Sequence, residues 1–315
     1  MKIEQKIQKQ VSLAPLTTFK IGGPAEYYLE AGAREEIEEA LGWAKENDLE
    51  VTFLGGGSNV LINDEGVEGL VIALSNKDFE IKEDKVICGA AASLSKVAQE
   101  AAKHGLSGLE WGAGIPRAQI GGSVAGNAGA FGTNTSEVVE EVETFNLKTS
   151  KWEKFGREDC QFSYRTSLFK KSGNYLIFSV SLELAKKGAE EVKKKTGEIL
   201  KARQEVQPKE PNAGSMFKNL DFSYLKERNP DMAQRAEEEE IVKNNMVGSG
   251  WLVEQRDLKG KAIGGAQVSR EHGNFIINTG EATALDVITL ISYVKQKVRN
   301  EFNVQLQEEI QYLGF

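Results

Sequence analysis

Cysteine and histidine are scarce in this 315-residue chain, with only Cys88, Cys160, His104 and His272. Two cysteines make neither a disulfide framework nor a metal-ligand pattern, and with two histidines no zinc site is expected. No apolar run is long enough to span a bilayer. The first residues, Met1-Lys2-Ile3-Glu4-Gln5-Lys6, lack the apolar core of a signal peptide, so the cytoplasm is the expected location. Basic charge is not in excess. A net charge of −8, from 39 Lys and Arg against 47 Asp and Glu, argues against broad nucleic-acid binding but leaves room for a local basic pocket around a phosphate. What remains is an ordinary globular composition, 40% apolar and 27% charged, long enough for two or three modest domains.

Glycine is plentiful, and it gathers in two runs. The first lies within Val51-Thr52-Phe53-Leu54-Gly55-Gly56-Gly57-Ser58-Asn59-Val60-Leu61-Ile62. Its apolar flanks read as buried strands. Glycines let a ligand approach the backbone closely, and successive amides in such a turn form an anion-binding concavity. The stretch is therefore either a plain strand–turn–strand or a diphosphate cradle. It is neither a Walker loop nor a GxGxxG fingerprint. The second run, from Gly112 to Gly132, is too rich in small residues for a core helix and too apolar for a flexible linker. Close backbone approach to a flat or phosphorylated ligand would explain it, and so would a tightly packed loop.

Periodicity organises the rest. A helix is expected over 35–46 and a strand over 70–74, giving a β-α-β-β subdomain with the glycine turn at one sheet end. A strand at 86–90 and a helix from Leu94 to about His104 follow, then strands at 138–147, 152–155 and 176–184. Residues 190–205 form a basic helix candidate. The acidic stretch 221–247 reads as a solvated insertion with some helix. After a strand at 275–278, Thr283 and Asp286 form a capping box for a helix with the stripe Val287, Leu290, Ile291, Val294 and Val298. A last strand over 306–313 would alternate Leu306, Ile310 and Tyr312 on one face with Gln307, Glu309 and Gln311 on the other, Glu308 falling untidily on the apolar side.

Several segments together resemble the UDP-N-acetylenolpyruvoylglucosamine reductases, the MurB flavoenzymes of peptidoglycan synthesis. They are the stretch from Pro15 to Ala25, Gly55 to Asn59, Gly114-Ile115-Pro116, Asn127 to Gly132, Tyr164 to Ser167, Asn212 to Ser215 with Phe217-Lys218-Asn219, Ile263 to Ser269, and Glu309. They run in family order to the end of the chain.

The resemblance implies an α+β fold: a two-subdomain FAD-binding module of the vanillyl-alcohol-oxidase type over 1–75 and 76–189, and a C-terminal α/β substrate-binding domain over 190–315. The short stretch between Arg165 and Arg203 favours the shorter, second type of the family. Implied too is a reaction, in which NADPH reduces dissociable FAD and a hydride passes from flavin N5 to the β-carbon of UDP-N-acetylglucosamine enolpyruvate. A proton then goes to the α-carbon, giving UDP-N-acetylmuramate for cell-wall synthesis and division. Arg165 matches the family's arginine, Ser215 its proton donor and Glu309 its late glutamate. Gly55, Gly56, Gly57, Ser58 and Asn59 match the FAD diphosphate turn, and Gly121, Gly122, Asn127 and Gly129 a second flavin-contacting run. Arg203, Lys218 and Asn219 match positions for the nucleotide half of the substrate. No metal, nucleic acid or membrane is implied, and the chain is expected to be a monomer.

The chain departs from the pattern in several places, among them Gln307 and Gln311 where residues around the late glutamate are often charged, and the 221–247 insertion, which is unusual for the family. Arg117-Ala118-Gln119-Ile120 stands where the family usually has a glycine and one residue fewer, and Val206 stands where many members carry a lysine. An oxidase of the same fold, or a flavin- or UDP-sugar-binding protein without turnover, are the competing readings.

Overall fold

The computed structural model describes residues 2–315. By its contacts the chain forms two compact units: one of the segments ending at Val11, Ala25–Gly57 and Glu68–Glu205, the other of Ser12–Pro24, Ser58–Val67 and Val206–Phe315. The boundary thus falls inside the first glycine run, between Gly57 and Ser58.

The first unit is built on two larger sheets. One has the strand order Gln8–Ser12, Pro24–Ala31, Val67–Leu74, Val51–Leu54. The helix Arg34–Glu46 packs its stripe of Ile37, Ala40 and Ala44 over Leu29, Ala31, Leu70 and Ile72. Glu36 fastens its start, accepting from the amides of Gly32 at 2.9 Å and Ala33 at 3.1 Å and pairing with Lys6. Those bonds hold its carboxyl down at about 2. The other sheet is antiparallel, in the order Lys151–Gly156, Val139–Asn146, Tyr175–Glu183, Lys85–Gly89, Phe79–Lys82. Its core takes in Val97, Ala98 and Ala101 of the helix Leu94–Lys103, together with Trp111, Ile120 and Val124. Cys88 and Cys160 are free buried thiols, both pushed up to about 12 by burial, which leaves them inert.

The second unit is built on an antiparallel sheet in the order Asn212–Ser215, Phe275–Asn278, Ala266–Val268, Ala262–Ile263. The helix Ala284–Phe302 buries Val287, Leu290, Ile291, Val294 and Val298 in the same core. Its predicted capping box is present, and the Asp64 carboxylate accepts from the Ala284 amide at 2.8 Å and the Leu285 amide at 3.2 Å.

Four expectations change. Val51–Leu54 and Val60–Ile62 do not share a sheet: the first runs parallel to Val67–Leu74 and the second parallel to Gln311–Leu313. The second glycine run contains a short core helix, Ile120–Ala125, after all. Its small residues permit a close approach: a Cβ on Gly121 would stand 2.8 Å from the Ala90 Cβ. The 221–247 stretch is not a solvated decoration. It folds as the helices Phe222–Arg228 and Pro230–Glu238, with Leu225, Met232, Ala233 and Ala236 buried in the unit's core. The last strand is only Gln311–Leu313. Glu308 escapes the apolar side by pairing with Lys295 at 2.5 Å and accepting from the Tyr312 hydroxyl at 2.8 Å.

Among the described residues no helix is long and apolar enough to cross a membrane, and no group of three or more His, Cys, Asp and Glu could hold a metal ion.

Candidate functional site

In the first unit the two glycine runs meet through Arg117. Its backbone has a left-handed φ of 55°, and its Nε donates to the Gly56 carbonyl at 2.9 Å. A Cβ on Gly56 would collide with the Arg117 carbonyl oxygen, so glycine there is demanded by backbone packing. Gly57 adopts φ 68°, a conformation that costs side-chain-bearing residues about 1 kcal/mol or more. Gly55 is exposed, and the nearest neighbour to a Cβ on it is Gln119 Oε1 at 3.6 Å.

The second run divides in the same way. Gly121 is required by Ala90, and a Cβ on Gly129 would collide with the Thr133 carbonyl. A Cβ on Gly122, by contrast, would meet nothing within 4 Å. Nothing in the protein's own packing demands a bare backbone at Gly122, which suits a surface kept open for a flat ligand. Asn127, buried with φ 40°, turns both ends of its amide to the protein: Nδ2 donates to the Ser163 carbonyl at 3.1 Å and Oδ1 accepts from the Ser136 amide at 3.0 Å.

Two arginines lie on this second run. Arg165, with φ 57°, sits at the tip of a tight turn closed by mutual Ser163–Thr166 backbone bonds of 3.1 Å. Its Nη2 donates to the Gly129 carbonyl at 2.9 Å, and its guanidinium lies 5.3 Å from the Tyr164 ring centroid. Ser167 anchors the turn from behind, its hydroxyl donating to the Ala125 carbonyl at 2.7 Å. Arg203, on the helix Ala189–Val206, donates through Nη2 to the Trp111 carbonyl at 2.7 Å and stacks 5.4 Å from the Phe131 ring. It forms no ion pair among the described residues, and burial lowers its pKa. Arg203 Nε and Trp111 Nε1 are both buried without a hydrogen-bond partner. Such a collection of under-used donors and an uncompensated cation suits an anion. The bare Gly122 backbone and the glycine turn fit a flat dinucleotide such as FAD, which carries a diphosphate.

In the second unit Ser215, Glu309 and Asn59 share one hydrogen-bonded neighbourhood. Gly214, at φ 78°, is held by the Asn212 carboxamide, which accepts from its amide at 2.9 Å. Half-buried Ser215 follows, beside Phe275 across a strand irregularity. The Glu309 amide donates to the Met216 carbonyl at 2.9 Å, and the Lys218 amide to the Gln307 carbonyl at 2.8 Å. The serine and glutamate segments therefore run side by side in a fixed register. Asn59 ties in from the first glycine run, donating through Nδ2 to the Glu309 carbonyl at 3.3 Å and accepting from the Gln311 amide at 2.9 Å. Ser58 and Asn59 are half-buried, as is Lys218, while Asn219 is exposed.

Sequence reasoning missed the residue that locks this segment. Asn274 is buried, and its side chain accepts from the Phe217 amide and donates to the Phe217 carbonyl, both at 2.8 Å. Its own carbonyl accepts from the Met216 amide at 2.7 Å. An asparagine leading into the apolar strand Phe275–Asn278 was the available signal, since a buried carboxamide must find partners. Half-buried His272 lies nearby with a pKa lowered by desolvation, and its Nδ1 accepts from the Asn274 amide at 3.1 Å.

Comparison with known proteins spans the chain. Residues 207–313 match the family model described as UDP-N-acetylenolpyruvoylglucosamine reductase, C-terminal domain, and residues 25–155 match an FAD binding domain. A UDP-N-acetylenolpyruvoylglucosamine reductase of Acaryochloris marina is 40% identical over 98% of this chain and 93% of its own length. The enzyme of that name from Bacillus velezensis is 38% identical over 98% and 94%. Among solved structures, the UDP-N-acetylenolpyruvylglucosamine reductase of Thermus caldophilus superposes with a TM-score of 0.77, at 33% identity, over 98% of this chain and 99% of that one.

Proposed function

This chain belongs to the UDP-N-acetylenolpyruvoylglucosamine reductase family, FAD-containing oxidoreductases, and on that premise we propose that it reduces UDP-N-acetylglucosamine enolpyruvate to UDP-N-acetylmuramate with NADPH as the reductant. FAD, when bound, supplies the hydride chemistry. The chain's own residues do the rest. Gly55, Gly56, Gly57, Ser58 and Asn59 present backbone to the FAD diphosphate, with Gly121, Gly122, Asn127 and Gly129 forming the second flavin-facing run. Arg165, anchored on Gly129, answers the negative charge that develops on the α-carbon and carboxylate once hydride has added. Ser215 gives its proton to the α-carbon. A serine hydroxyl is a weak acid, so it depends on neighbours to relay or stabilise charge, and Glu309 is the residue assigned to help. Arg203, Lys218 and Asn219 hold the nucleotide half of the substrate. The functional division proposed, an FAD module over 1–75 and 76–189 and a substrate domain over 190–315, differs from the division by contacts, in which Arg203 belongs to the first unit and 12–24 and 58–67 to the second. The enzyme works as a cytoplasmic monomer in peptidoglycan precursor synthesis.

One observation carries the reading most directly: the backbone register that fixes the Glu309 segment beside Met216, the residue after Ser215. Ser215→Ala tests it by rapid mixing. Flavin reduction by NADPH should keep the parent rate. Reoxidation by the enolpyruvyl substrate should slow by about 10²–10⁴, the usual worth of a positioned general acid. Parent-rate reoxidation would remove Ser215 from the mechanism.

A further inference from the structure

Arg117 is the feature that the family pattern leaves unexplained, and its surroundings point to a task. The residue is exposed, yet its backbone stands in the left-handed region at φ 55°, where glycine is the comfortable choice. Its carbonyl packs against the Cα of Gly56, and its Nε donates to the Gly56 carbonyl at 2.9 Å. One edge of the guanidinium is therefore fixed on the glycine turn. The two Nη groups make no hydrogen bond or ion pair among the described residues. Glu30 and Arg117 both act on the Tyr28 phenol, Glu30 raising its pKa and Arg117 lowering it. Glu30 accepts from the Tyr28 hydroxyl at 3.1 Å and forms no ion pair with Arg117.

We propose that Arg117 is a cofactor-binding residue that supplies the counter-charge for the FAD diphosphate at the Gly55–Gly57 turn. A turn of neutral amides binds a diphosphate by dipoles alone. A planar fork of donors held at its rim adds a full charge and paired hydrogen bonds, the geometry for which arginine is suited and lysine is not. The Nε bond to Gly56 fixes the guanidinium plane before the ligand arrives, which reduces the ordering required on binding. This inference rests on the glycine turn being the diphosphate site.

The test is flavin binding by the full chain freed of flavin, followed by quenching of flavin fluorescence, with FAD and riboflavin as probes. Riboflavin carries the ring but no phosphate. Arg117→Gln should weaken FAD by about tenfold, the usual worth of a charge-assisted contact at a partly exposed site, while leaving riboflavin unchanged. The dependence of FAD affinity on salt should flatten in the same variant, because one charged contact is gone. Arg117→Gly should likewise weaken FAD, yet raise the melting temperature of the flavin-free protein by relieving the left-handed backbone. Unchanged FAD affinity in both variants would overturn the proposal. So would equal losses for FAD and riboflavin, which would make Arg117 a brace for the loop and no more. Gly55→Ala separates the two levels of failure, since a methyl there meets no protein atom closer than 3.6 Å. If Gly55→Ala weakens FAD but not riboflavin and Arg117→Gln does nothing, Arg117 alone is misassigned. If neither variant discriminates the probes, the diphosphate does not sit on this turn and the proposal falls with that reading.

Discussion

Gly121 and Gly122 are neighbours on one short helix, yet the protein's own packing holds only one of them to glycine. A side chain on Gly121 has the Ala90 Cβ at 2.8 Å, whereas one on Gly122 has nothing within 4 Å. Gly121→Ala is expected to destabilise the flavin-free protein by about 1–3 kcal/mol, the range for overpacking. Gly122→Ala should stabilise it, by up to about 1 kcal/mol from helix propensity, and should weaken FAD. Thermal melts with and without FAD check both: opposite shifts without flavin, and for Gly122→Ala a smaller gain on adding FAD. Equal destabilisation of the flavin-free protein by both changes would contradict the account. The same distinction explains what could be read at this scale. The glycine runs and the segments around Arg165, Ser215 and Glu309 stand out in the sequence as motifs, while the roles proposed for these residues await the tests above. Which glycines the packing demands was not legible, because that depends on Ala90, Thr133 and Arg117, which only the folded chain brings near.

Local periodicity carried most of the elements. The helices Leu94–Lys103 and Ala284–Phe302 lie where their apolar stripes predict, since burial of one face is what holds a helix in place. It failed in three ways, each physical. Small residues hid the helix Ile120–Ala125. Charge masked Leu225, Met232, Ala233 and Ala236, whose burial gives 221–247 its fold. The pairing of Val60–Ile62 with Gln311–Leu313 joins distant parts of the chain, and no local pattern records it. The start of the helix Arg34–Glu46 offers an element-scale test. Binding to Lys6, Gly32 and Ala33 holds the Glu36 carboxyl at about 2, against an ordinary 4.5. A carboxylate depressed in the folded state contributes stability that is full above its unfolded pKa and lost as pH falls through the folded one. Glu36→Gln should therefore cost about 1 kcal/mol at pH 7, as lost caps do, and the gap from the parent should narrow between pH 4.5 and 2. Urea titrations across that range decide it. A gap that stays constant to pH 2 would mean that the ionised carboxylate is not what stabilises the helix.

At the scale of the whole molecule, the family match covers nearly the full chain, and each compact unit contributes residues to the proposed chemistry. The glycine turn, Arg117, Arg165 and Arg203 belong to the first unit, and Ser215, Lys218 and Glu309 to the second. The proposed cycle needs both sets, so one experiment can ask whether they work together. The flavin spectrum of the purified full chain is followed without oxygen through two additions. NADPH should bleach the flavin bands, and UDP-N-acetylglucosamine enolpyruvate should then restore them. Bleaching with no recovery would contradict the proposed reaction, because the reduced flavin would have no path to the enolpyruvyl group.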